Sequence, residues 1–230
     1  MDWFEVALPF AIIGGIIALV VVGILWSNYL ERKRREALAA TAQLMGFTWS
    51  AKVPGEKITE LRSFELFNRG HSPAGQNMLV GKIGDAELIL FDYRYETGSG
   101  KNRTTHKQTV IMIPDGGAGL PDFQLTPEDF FHRVAQMFGY QDIDFEENPT
   151  FSKRYLLRGP DEEAIRRAFR TEVLEYFAEN WGWSVEVQRG QLLVYRAANL
   201  CDPDKCPEFV AEAARIREVL RGRSEDKQAT

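Results

Sequence analysis

"AELILFDYRYETGSGKNRTTHKQTVIMI", residues 86–113, decides what kind of domain this chain carries. Gly98-Ser99-Gly100-Lys101, followed by Thr104 and Thr105, suggests a phosphate-binding loop and hence a parallel α/β sheet. The spacing does not support that reading. Such a loop needs a glycine, four residues, then Gly-Lys-Ser/Thr. Counting back from Gly100, the first glycine position falls on Tyr95, and Asn102 stands where the magnesium-binding hydroxyl belongs. The residues after Asn102 are strand-like, so no helix N-terminus faces a phosphate. A hairpin explains the residues better. Ile89, Phe91, Tyr93 and Tyr95 share one face, Asp92 and Arg94 the other. The glycines and Asn102 permit the turn. The stretch predicts an antiparallel sheet with one covered face.

Other strands lie on either side. "NMLVGKI" (77–83) joins the hairpin through Gly84-Asp85, a two-residue turn. "FELF" (64–67), "KRYLLR" (153–158), "SVEVQ" (184–188) and "QLLVYR" (191–196) read as further strands, the last two flanking Arg189-Gly190. Residues 51–60 are polar around Pro54-Gly55 and read as a loop.

Three helices are predicted after the first strands. Thr126-Pro127-Glu128-Asp129 starts one, with Thr126 as cap and Phe130, Phe131, Val134, Met137 and Phe138 as a buried stripe up to Gly139. Gly159-Pro160-Asp161 opens a second, with stripe Ile165, Phe169, Val173 and Phe177. The third covers residues 207–220, turning Phe209, Val210, Ala213, Ile216 and Leu220 inward. Antiparallel strands with segregated helices make an α+β domain over residues 47–222, with a candidate split into two subdomains near 121–126. "FELFNRG" and "YLLRG" echo each other faintly as a candidate internal repeat. Residues 223–230 form a polar tail, expected to be disordered.

Before the domain stands "ALPFAIIGGIIALVVVGILW" (7–26), with no charged residue. At about 1.5 Å per residue it spans about 30 Å, the thickness of a bilayer hydrocarbon core. Trp3, Phe4, Trp26 and Tyr29 flank it as interfacial belts. The acidic start (Asp2, Glu5) and long apolar run favour an uncut transmembrane anchor over a cleaved signal peptide. Arg32, Lys33, Arg34 and Arg35 set its orientation, because basic residues beside a span stay cytoplasmic. The expected arrangement is an outward N-terminus (1–6), a transmembrane helix (7–26), a basic juxtamembrane helix (27–46) and a cytoplasmic domain. In a bacterium this is the inner membrane. Gly14 and Ala18 form a small-residue pair through which two helices can approach, a weak homodimer signal.

Composition narrows function. A net charge of −5 excludes a globally basic nucleic-acid surface, and two cysteines exclude a disulfide scaffold. His71, His106 and His132 lack ligand spacing. "CDPDKC" (201–206) sits at the edge of zinc-ligand spacing but reads better as a helix start at Cys206-Pro207. No metal or cofactor is expected. Lys101, Arg103 and Lys107 around the hairpin tip are candidates for lipid or partner contact. Asp142 and Asp144 share a face if "DIDF" is extended, the one acidic arrangement with catalytic potential.

"FDYRYETGSGKNRTTHKQTV", "LPDFQLTPEDFF" and "DIDFEENPTFSKRYLLRGPDEEAIRRAF" resemble a family of bacterial, single-pass membrane-anchored proteins without an assigned activity. The resemblance covers residues 64–177 and implies no catalytic residues. The expected function is a non-enzymatic interaction or scaffold module at the cytoplasmic membrane face, with a protein partner. The alternative is a tethered, hydrolase-like enzyme using Asp142 and Asp144.

Overall fold

A single helix, α1 (Trp3–Leu44), carries the chain from its apolar segment into the first strand without a break. The computed structural model describes residues 3–131 and 141–222. Within α1, residues Ile12–Leu44 include a window of mean hydropathy 2.0 that is buried nowhere in the molecule, long and apolar enough to cross a membrane. The last turns change character: Leu38 and Ala42 are buried against the sheet. Gly46, at φ 71°, reverses the chain, and the Phe47 N–H closes the helix end on the Ala42 carbonyl at 2.8 Å.

Eight strands form one wholly antiparallel sheet: β1 (Thr48–Lys52), β2 (His71–Ile83), β3 (Ala86–Thr97), β4 (Thr104–Ile113), β5 (Phe123–Pro127), β6 (Tyr155–Arg158), β7 (Ser184–Gln188) and β8 (Gln191–Tyr195). Their order is β1-β2-β3-β4-β8-β7-β5-β6. The β2–β3, β3–β4 and β7–β8 hairpins form where the sequence predicts them, with Ile83 opposite Ala86 and Thr97 opposite Thr104. The pairing of β4 with β8, from Val110↔Tyr195 to Ile113↔Leu192, joins the two halves. One continuous sheet therefore crosses the seam expected near 121–126.

Both faces of the sheet are covered. On one lie the end of α1, α4 (Pro149–Arg154), α5 (Glu162–Ala168), α6 (Thr171–Glu179) and α7 (Cys206–Arg221), burying Leu90, Ile111, Leu125, Val185 and Val194. On the other lie α2 (Gly55–Glu60) and two 3-10 turns (Leu61–Ser63 and Glu65–Asn68), burying Phe64, Phe67, Phe91 and Tyr93. Each large apolar side chain fully buried this way contributes about 1.5–3 kcal/mol. α3 (Glu128–Phe131) directly succeeds β5.

Several expectations need correction. Both faces of β3 are buried, not one, because α1 lies over the side that carries Asp92. "FELF" is a 3-10 turn, whereas "YLLR" is strand β6 preceded by α4, so their echo does not mark a structural repeat. Residues 51–60, which read as a loop, hold the end of β1 and the whole of α2. Thr126 and Pro127 end strand β5, opposite Leu156 and Tyr155, so Thr126 is not a helix cap. His132, Val134, Met137, Phe138 and Gly139, and the tail 223–230, lie outside the described residues. The helix from Asp161 is two helices, broken at Phe169-Arg170, although its stripe of Ile165, Phe169, Val173 and Phe177 is buried throughout. α7 matches its predicted span and inward face.

Candidate functional site

The junction between α1 and the sheet holds an extensive buried polar cluster. The Arg34 guanidinium donates from Nε to Asp92 Oδ2 and from Nη2 to Asp92 Oδ1, both at 2.8 Å. A third bond runs from Nη1 to the Cys201 carbonyl at 2.9 Å. Asp92, only 3% exposed, also accepts from Asn77 Nδ2 (2.9 Å) and Thr109 Oγ1 (2.7 Å). Thr109 in turn accepts from the Cys201 N–H at 2.9 Å. Two parallel charge-assisted bonds fix both distance and orientation. Burial works against the Arg34 charge, but the hydrogen bond and charge of Asp92 outweigh it and hold the pKa above its ordinary value. Lower on α1, Thr41 donates to the Pro203 carbonyl at 3.2 Å.

The β2 backbone adapts to this cluster. Asn77 adopts φ 54°, and the β2–β3 register shifts between Gln76 and Leu79. The bulge lets Asn77 reach Asp92. Cys201 and Cys206 lie beside the cluster, both buried and both free thiols. A hydrogen bond with Cys206, opposed by burial and aided by Arg34, lowers the Cys201 pKa; the same bond and burial raise that of Cys206.

The junction also sets the direction of the anchor. Leu44 lies just before Thr48, which pairs with Val80, level with Ile89 in β3. Earlier in the helix, Arg34 meets Asp92. The helix thus runs back along β3 toward Thr97, and the apolar segment leaves the domain at the end of the sheet bearing the 98–103 turn. Trp26 precedes Arg34 by about 12 Å of helix, and Thr97 lies beyond Asp92 by about 16 Å of strand.

Of the predicted orientation residues, Arg34 is the one hydrogen-bonded to the sheet. Arg32 pairs with Glu36 at 2.9 Å, Arg35 contacts Glu31 at 3.9 Å, and Lys33 is exposed. Lys101 is exposed in the 3-10 turn Gly100–Asn102 at the hairpin tip, and Arg103 lies 3.6 Å from Glu96. Lys107 lies back along β4, opposite Arg94. Gly14 and Ala18 are exposed on α1.

Asp142 and Asp144 are both exposed, and near enough for the Asp144 charge to act on Asp142. The 141–145 segment is not a strand; Ile143 and Phe145 are buried, and Ile143 makes a backbone bond to Leu157. Asp142 Oδ1 accepts from the Leu157 N–H at 2.9 Å. Burial raises the Asp142 pKa, against that backbone bond. His71 contacts Ser72 and the Gly98 carbonyl; His106 contacts Thr97 and stacks on Tyr95. Among the described residues no cluster of histidine, cysteine and acidic side chains is arranged to hold a metal.

A second polar cluster, which sequence reading missed, lies on the opposite face. Glu186, 1% exposed, accepts from the Glu65 N–H (2.6 Å), the Leu66 N–H (3.2 Å) and Tyr195 OH (3.0 Å). It thereby caps the 3-10 turn Glu65–Asn68. Burial raises its pKa, opposed by the nearby charge of buried Arg69. The "VEV" alternation hinted at it by placing a carboxylate between two valines of one strand.

No family model matches the chain, and no curated protein matches it. Among solved structures, the crystal structure of the mycobacterial trehalose monomycolate transport factor A, TtfA, is similar with a TM-score of 0.58 and 12% sequence identity. The match covers 83% of this chain and 96% of that one. At that identity the likeness is one of fold.

Proposed function

We propose that this chain is a non-enzymatic interaction module tethered to the cytoplasmic face of a bacterial membrane, acting as an accessory to transport across the envelope. The observation that carries the reading is the junction: an apolar helix long enough to span a bilayer enters the domain and is held there by Arg34 and Asp92. The domain is thus built around its anchor. The fold neighbour's description as a transport factor supports the accessory role. The sequence resemblance to membrane-anchored proteins without an assigned activity agrees with it. The hydrolase alternative gains no support, since Asp142 is tied to a backbone N–H and Asp144 faces solvent.

The test is purification of the full chain from membranes in a mild non-ionic detergent after in-membrane crosslinking. A defined integral-membrane transporter, recovered in near-equal amount, is expected. Recovery of the chain alone, together with a hydrolytic activity lost in Asp142→Asn or Asp144→Asn, would overturn the reading.

A further inference from the structure

Beside α1, the edge of the sheet holds a cleft of about 440 Å³. Four basic residues from four different elements line it: Arg35 of α1, Lys52 of β1, Arg62 of the 3-10 turn Leu61–Ser63 and Arg94 of β3. No acidic residue does. The backbone makes the opening. β1 ends at Lys52, opposite Gln76, so residues 73–75 of β2 run on past it along the edge. Register shifts on both sides of this segment bend it. Gly75 keeps the wall thin, since a Cβ there would stand 2.7 Å from the Val53 side chain.

The charge in this cleft is uncompensated. Among the described residues, Lys52, Arg62 and Arg94 form no ion pair, and Arg35 has only the 3.9 Å contact to Glu31. Arg94 also stands directly opposite Lys107 in the β3–β4 register. Like charges facing each other across strands destabilise a sheet. A chain with 33 acids and 28 bases has acids with which to relieve this, yet places none in the lining. Concave walls of one sign focus the potential, and guanidinium forks match phosphate oxygens.

Position selects the ligand. The cleft lies beside the Arg34–Asp92 junction, where Gln76 and Ala74 pair with Asp92 and Arg94, on the side of that junction toward which the apolar segment leaves. Arg35 is separated from Trp26 by about 13 Å of helix. The interfacial layer extends about 5–8 Å beyond the hydrocarbon, and long basic side chains reach toward it. We propose that this cleft binds the phosphodiester headgroup of an anionic lipid from the leaflet in which α1 is seated. The proposal rests on reading α1 as a membrane anchor.

The test uses the full chain in uncharged detergent micelles, titrated with short-chain phosphatidylglycerol, short-chain phosphatidylcholine, inorganic phosphate and a polyglutamate peptide. Binding is followed by chemical-shift changes at residues 73–76. Phosphatidylglycerol should bind saturably and more weakly at high salt. Arg62→Gln with Arg94→Gln should weaken it about tenfold, as expected on removing charge-assisted contacts, with an unchanged melting curve. Equal binding of inorganic phosphate, tighter binding of polyglutamate, or phosphatidylglycerol affinity unaffected by the double variant would each overturn the proposal. The titration is independent of which side of a bilayer the domain occupies and of any protein partner. Its failure beside intact membrane retention would remove the cleft assignment alone.

Discussion

Arg34 and Asp92, 58 residues apart in sequence, meet through two hydrogen bonds of 2.8 Å, and this pair attaches the anchor helix to the middle of the sheet. Asp92 is 3% exposed, so neither charge can be removed alone without stranding the other. Arg34→Ala or Asp92→Ala should each cost about 3–5 kcal/mol, the range for breaking a buried pair by removing one partner. Thermal melts of the full chain in detergent provide the measurement. Replacing both residues by leucine should cost less than the sum of the single changes, and strict additivity would show that the pair is not coupled.

The same residue separates two roles within the basic block. Orientation is read from charge during insertion, stability from the folded contact. Replacing Arg32, Lys33 and Arg35 with glutamine should reduce cytoplasmic placement of a reporter fused after Thr230 and leave the melting temperature nearly unchanged. Adding Arg34→Gln should lower the melting temperature sharply. A large stability loss in the triple variant would contradict the division.

Glu186 holds the 3-10 turns onto the opposite face. Glu186→Ala removes the acceptor of two backbone N–H groups and of the Tyr195 hydroxyl, all in a dry environment. The expected loss is about 3 kcal/mol or more. Glu186→Gln, which keeps one acceptor oxygen, should lose less. Hydrogen exchange should quicken first at residues 61–68, and unchanged exchange there would refute the capping role.

His106 makes stability depend on pH. Burial, then the charge of Arg69, holds its folded pKa below the ordinary value. Between that depressed pKa and the unfolded value of about 6.5, the unfolded chain binds more protons. Stability from this group is therefore complete above about pH 6.5 and declines as pH falls toward the folded pKa. Urea melts from about pH 7 to about pH 5 should show the wild type losing more stability than His106→Gln. Parallel curves would remove the assignment.

Local signals were legible in the sequence and long-range ones were not. Gly84-Asp85 and Arg189-Gly190 mark their hairpins because a two-residue turn fixes its own register. The pairing of Val110 with Tyr195 leaves no such mark. "FELF" has a strand's composition, but its conformation depends on a carboxylate more than a hundred residues away at Glu186. The stripe from Ile165 to Phe177 survives the break at Phe169-Arg170, so periodicity alone joined two helices. At the junction, Arg34 reads as one of four membrane-facing charges because its partner lies 58 residues away, in strand β3. The basic cleft escaped notice for the same reason: Arg35, Lys52, Arg62 and Arg94 are scattered in sequence and meet only at the sheet edge.

The unbroken course of α1 has a mechanical consequence. With no glycine-rich or proline-containing hinge between the apolar segment and Leu38, the helix is a lever rather than a leash. A rotation of the apolar segment is therefore carried along one helix to Asp92 in β3. The inclination of the apolar segment relative to the sheet is thus fixed within the domain, at the Arg34–Asp92 contact.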